Sequence, residues 1–150
     1  MNQASERYGS AVAAAFLACL TIRVFFELQD YGPESAIRKF NEAVKNNDLG
    51  AMQAATLGGR EGLKGDKVPY LFWSLTQWDR RGIPMQIERI KRTGNEVRAE
   101  MVLTIPHQPH DTIWAMTWVV ERTGRDWLVD ANKTATILSD RRLEGNYPRD

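Results

Sequence analysis

The sequence predicts an α+β protein: an N-terminal transmembrane helix, then two or three helices packed on a curved antiparallel sheet of about four strands. Three observations carry this. An apolar run from Ala11 to Phe26 is interrupted only by Thr21 and Arg23. Between Pro33 and Arg81 the hydrophobic residues recur at helical spacing, and from Ile83 onward the period shortens to two. With 150 residues and 43% hydrophobic content there is material for one core and not for two. The expected organisation is a short tail (1–9), an anchor helix (10–30), a folded domain (31–138) and a polar tail (139–150).

A span from about Tyr8 to about Leu28 would rise roughly 30 Å, the hydrocarbon thickness of a bilayer. Arg23 falls near the C-terminal end, where its stem can carry the guanidinium to the interface. Ala11, Ala14, Ala15 and Ala18 form a small-residue face suited to helix docking, and Phe25 and Phe26 close the apolar run. This reading outweighs three others. A cleaved signal peptide needs a basic n-region, and only Arg7 and the terminal amine are offered against Glu6. Phe16-Leu17-Ala18-Cys19 resembles a lipobox, but it has Phe and Leu where Leu and a small residue are usual, and apolar sequence follows it. Acylation of Cys19 would distinguish that case. The third is a soluble helix packed on the domain. A single-pass membrane protein is expected, with lipid around the anchor. Its folded domain is expected outside the cytoplasm, the commoner bacterial arrangement for a short tail, an anchor and a larger C-terminal part.

Tyr31-Gly32-Pro33 breaks the first helix, and Pro33 with Glu34 begins the next, to about Asp48. Ala36, Ile37, Phe40, Ala43 and Val44 make its buried stripe, with Arg38, Lys39, Glu42 and Lys45 opposite. Asp48 is the expected N-cap of a short helix from Leu49 to Thr56. Leu57 to Lys67 carries too many glycines for an element and is expected to be a loop. Asp66 is the expected cap of a helix from about Lys67 to Arg81, with Val68, Leu71, Phe72, Leu75 and Trp78 at helical spacing. Strands are expected near 84–92, 96–105, 112–122 and 127–138. The repeated pattern Arg92-Thr93-Gly94-Asn95-Glu96 and Arg122-Thr123-Gly124-Arg125-Asp126 predicts two hairpin turns. The tail from Ser139 to Asp150 has no period and is expected to be disordered or laid on a partner.

Two passages carry a family resemblance. One is Pro33 to Val44 with Asn47-Asp48, where a buried aromatic and small residues precede an Asp; the other is Trp118-Val119-Val120-Glu121-Arg122 followed by Gly124-Arg125-Asp126-Trp127-Leu128-Val129-Asp130. With the element order, they resemble the opening helix and terminal hairpin of the nuclear transport factor two-like superfamily, which includes ketosteroid isomerase and many small bacterial domains. The resemblance frames residues 33–138. It implies a cone with an apolar interior that is a catalytic pocket in some members and plain core in others, so function has to be argued from the site.

Twenty Lys and Arg against 19 Asp and Glu leave a formal charge of +1, which argues against a nucleic-acid partner. A single cysteine, Cys19, excludes an internal disulfide. His107, His110 and Asp111 form the one histidine cluster, but in a loop broken by Pro106 and Pro109 and without a fourth ligand they do not make a metal site, so neither metal nor cofactor is expected. No GxSxG or P-loop pattern occurs. Glu100 and Asp130 are the carboxylates expected on strands, and Asp130 reads as a rim carboxylate rather than a general base. Trp114, Met116 and Trp118 line one face of the third strand and read as core before they read as a ligand wall. The weak candidates for ligand or partner contact are Tyr70, Trp73, Trp114, Trp118 and Asp130. No convergent catalytic set emerges. The expected function is a non-catalytic binding or scaffolding domain, an accessory subunit of a membrane or cell-envelope complex with a protein partner. The alternative is a membrane-tethered isomerase or hydratase that uses the cone as its pocket.

Overall fold

The computed structural model describes residues 14–24, 32–105 and 112–143, which belong to two units, Met1–Gly32 and Pro33–Asp150. In the first unit, residues 14–24 form helix α1. Its side chains are exposed, Phe16, Leu17 and Ile22 among them, and Thr21 Oγ1 donates to the Leu17 carbonyl at 2.8 Å. Among the described residues no helix is long and apolar enough to cross a membrane. The expected anchor (10–30) extends past α1 on both sides. Ala14, Ala15 and Ala18 lie on α1, whereas Ala11, Phe25 and Phe26 lie outside the described residues.

The second unit begins with α2 (Pro33–Lys45), acidic in its first turn at Glu34 and basic in its last at Lys45, as the helix dipole favours. Its stripe is buried as expected, with Ile37 and Phe40 almost fully enclosed. Asn47, at a left-handed φ of 52°, ends the helix, and the Asp48 N–H reaches back to the Ala43 carbonyl at 2.9 Å. Asp48 then caps α3 (Leu49–Ala54), accepting from the Ala51 N–H at 2.9 Å. The expected loop 57–67 contains one turn of helix, α4 (Gly59–Gly62), because glycines here permit the left-handed entry at Gly58 and the compact turn after it. Just before it, Leu57 donates to the Val129 carbonyl, and Val129 to that of Ala55, tying this segment to the sheet. Helix α5 (Val68–Arg80) follows. Its N-cap is Lys67 rather than Asp66: a turn closed by Val68 N–H to the Gly65 carbonyl leads into the helix, and no side chain caps it.

The sheet is a meander in the order β1-β2-β3-β4, formed by β1 (Met85–Thr93), β2 (Glu96–Ile105), β3 (Thr112–Thr123) and β4 (Asp126–Val129). Gly94 and Gly124, at φ of 61° and 63°, supply the positive dihedrals of the two tight turns. In β1 a bulge leaves Glu88 as the extra residue between the Ile87–Met101 and Arg89–Glu100 pairs. Val97, Ala99, Met101 and Leu103 of β2 and Met116, Trp118 and Val120 of β3 face the helices. Trp118 meets Phe40 edge-on at 5.8 Å, and Phe40 meets Phe72 at 6.1 Å. The core is therefore an aromatic cluster walled by β-sheet aliphatics.

The C-terminal part departs from expectation. Strand β4 stops at Val129, and α6 (Ala131–Leu143) replaces both the remainder of the expected fourth strand and the start of the polar tail. Asp130 makes the difference: its Oδ1 accepts from the Lys133 N–H at 2.9 Å and its carbonyl from the Thr134 N–H, an N-cap arrangement. Ala131, Thr134, Ala135 and Leu138 then form a buried stripe at i, i+3, i+4 and i+7. The helix also caps the length of β3 that β4 leaves unpaired. Asp130 donates to the Val119 carbonyl at 2.8 Å, Val119 donates to Thr134 Oγ1 at 3.0 Å, and Arg141 donates to the Ala115 carbonyl. Part of the open edge is thereby satisfied without another strand.

Candidate functional site

The described part of the second unit contains a groove of about 740 Å³ between α2, the C-terminal half of α5 and the first two strands. That volume suits a small molecule or a few side chains of a partner. Each wall follows from local sequence. On α2 the spacing Ile37, Asn41, Val44 sets an apolar, an amide and an apolar group on one face, with Arg38, Glu42 and Lys45 at the rim. From α5 come Leu75, Thr76 and Asp79, and from the sheet Met85, Ile87 and Met101. The floor is apolar and the rim carries both signs of charge.

Four polar side chains define its chemistry. Lys45 Nζ meets Asp79 Oδ1 at 2.9 Å, linking the last turns of α2 and α5; both groups are substantially exposed, so the pair contributes only about 0–1 kcal/mol. Thr76 Oγ1 donates to the Phe72 carbonyl at 2.8 Å and is occupied. Asn41 Oδ1 is buried and has no hydrogen-bond partner. An acceptor in that position costs free energy until a donor reaches it. Strand β1 ends the sheet on this side, and its bulge and charged residues begin only beyond Ile87. Met85 to Ile87 thus line the groove from an edge strand.

The residues singled out from sequence are distributed otherwise. Tyr70 and Trp73 stack on α5 at 6.0 Å and 21°, and Trp73 is 59% exposed. Trp118 is fully buried against Phe40. Trp114 pairs with Leu103 through the backbone, and its side chain lies outside the described residues. Asp130 caps α6, with Oδ2 at 3.5 Å from Lys133 Nζ, and Glu100 meets Arg89 at 3.7 Å. Tyr70 and Trp73 therefore form one pair, while Trp118 packs in the core with its indole N–H unpartnered and Asp130 caps α6. Tyr70, Trp73, Trp118, Asp130 and Glu100 do not line the groove. His107, His110 and Asp111 lie outside the described residues, among which no cluster of three or more potential metal ligands occurs.

A second charged constellation ties α6 to the sheet. Lys133 Nζ contacts Glu96 at 3.0 Å and also Glu121, while Arg98 holds the other Glu96 oxygen at 2.9 Å. The hydrogen bonds it donates to Glu121 and then to Glu96 hold the Lys133 ammonium well above its ordinary pKa, and those Glu96 accepts from Arg98 and then Lys133 hold its carboxyl below the usual carboxylate value. This network is satisfied within the fold. The groove, with its unpaired acceptor, is not.

The sequence carries one signal for it. Asn41 falls on the apolar stripe of α2, four residues after Ile37 and three before Val44, where a polar side chain requires a partner. No protein-family model matches the chain, and no curated protein matches its sequence.

Proposed function

We propose that this chain is a membrane-tethered, non-catalytic binding domain, an accessory subunit of a membrane or cell-envelope complex, and that the groove beside α2 receives an apolar segment of a protein partner. The observation that carries the reading is the buried, unpaired Asn41 acceptor in an apolar groove. A backbone N–H from an extended partner segment would satisfy it, while Ile37, Val44, Met85 and Ile87 would take up apolar side chains. The edge position of β1 supports an extended partner, since such a strand can pair further through its backbone. The tether rests on the apolar run Ala11–Phe26, with Ala11, Ala14, Ala15 and Ala18 available for helix packing. The resemblance to the nuclear transport factor two-like superfamily belongs to the same proposal. Helices preceding an antiparallel meander support it; α6 is a departure from the hairpin ending that the resemblance implied.

The groove's volume also favours a second reading, a tethered isomerase or hydratase with a small substrate, in which Asn41 would bind a substrate hydroxyl. A photo-crosslinking residue at Glu42, on the groove rim of the full-length chain in its native membrane, separates the two. The proposal expects a discrete protein adduct. Absence of any adduct, or one formed equally from Arg60 on α4, would count against it.

A further inference from the structure

We infer that the sheet end bearing the two hairpin turns is a docking platform for an anionic phospholipid surface, built on Trp127 and the arginines Arg92 and Arg122. The register brings the two turns together: Thr93 pairs with Glu96, Thr123 with Asp126, and the Arg122 N–H bonds the Asn95 carbonyl at 2.9 Å. Trp127, opposite Arg122 on β4, is half-buried against the core. The Arg92 guanidinium lies over its ring at 5.1 Å from the centroid and that of Arg122 at 6.0 Å. A cation held over the ring by its quadrupole keeps N–H groups for an anion.

Charge is segregated by the pleat. Ile90 and Arg92 pair with Ala99 and Val97 and so share the parity of Arg122 and Trp127, whereas Glu96, Glu121 and Asp126 have the opposite parity. Among the described residues, no carboxylate forms an ion pair with Arg92, Arg122 or the turn residue Arg125, while Arg89 and Arg98 pair with Glu100 and Glu96. Ile90 is 43% exposed beside them. Two unneutralised arginines, an amphipathic indole and an exposed aliphatic group match a headgroup layer, where phosphodiesters meet acyl chains. Each arginine near an anionic surface raises partitioning roughly fivefold.

The inference does not depend on the groove reading. It is tested with the full-length chain in vesicles containing brominated acyl chains, either neutral phosphatidylcholine or phosphatidylcholine with phosphatidylglycerol. The readout is tryptophan emission, compared with Trp127→Phe to isolate Trp127. Quenching of the Trp127 component in anionic but not neutral vesicles, lost in R92Q/R122Q and at high salt, is the expected result. If that pair melts early, Arg125→Gln in the exposed turn must still weaken the quenching. Equal quenching in both vesicle types, or none, overturns the proposal. So does a response to inorganic phosphate alone, which would make the platform a soluble-anion site.

Discussion

Asn41 lies on the stripe of α2 with Oδ1 buried and unpartnered, and such an acceptor costs about 1–3 kcal/mol in the free protein. Replacing it by Leu removes that cost while keeping the branching at Cγ, and the groove gives room for the larger side chain. Asn41→Leu is therefore expected to leave the melting temperature unchanged or raise it, while abolishing partner capture; a purely structural role would lower stability instead. Gly62 has the opposite character, because a Cβ there would stand 2.0 Å from the Leu57 carbonyl oxygen, a backbone atom that cannot rotate away. Gly62→Ala is expected to destabilise by about 1–3 kcal/mol, read as a lower denaturant midpoint at constant slope.

Among the elements, α6 has the largest consequence, since it satisfies edge groups of β3 at Val119 and Ala115. Thr134→Val would leave the Val119 N–H buried without its acceptor and should cost about 1–3 kcal/mol by chemical denaturation. Its link to the sheet through Lys133 gives a pH dependence of defined sign. Glu96 has its folded pKa lowered, so its contribution is present above the unfolded value of about 4.3 and is lost as pH falls through the folded pKa. Lys133 has its folded pKa raised, so its contribution is present below the unfolded value of about 10.4 and is lost as pH rises through the folded pKa. Exposure and salt hold each effect to about 1 kcal/mol or less. Denaturation midpoints of Lys133→Met and the parent should converge at low pH and differ near neutrality; a constant difference would contradict the network. The sequence made α2, α5 and both turns legible because their signals are local, in the stripe of Ile37, Phe40 and Val44 and in Gly94 and Gly124. It hid α6 because Thr134, Thr136 and Ile137 read as strand residues, and its buried stripe is mostly small. The groove was hidden for another reason. Ile37, Met85 and Ile87 look like core in sequence, and only tertiary packing leaves space between them.

At the scale of the whole chain, the proposal joins an apolar N-terminal run and a domain with an unsatisfied groove in one arrangement, a binding module concentrated at a membrane. The groove is where a partner would register and the tether is what would hold the domain near it. The most direct measurement is mild-detergent extraction of the full-length chain from its native membranes, with mass spectrometry of what co-migrates, in parallel for the parent and Asn41→Leu. A stoichiometric protein partner with the parent, lost with Asn41→Leu, is the predicted result. A chain that leaves the membrane without detergent, or that is extracted alone, would contradict the account.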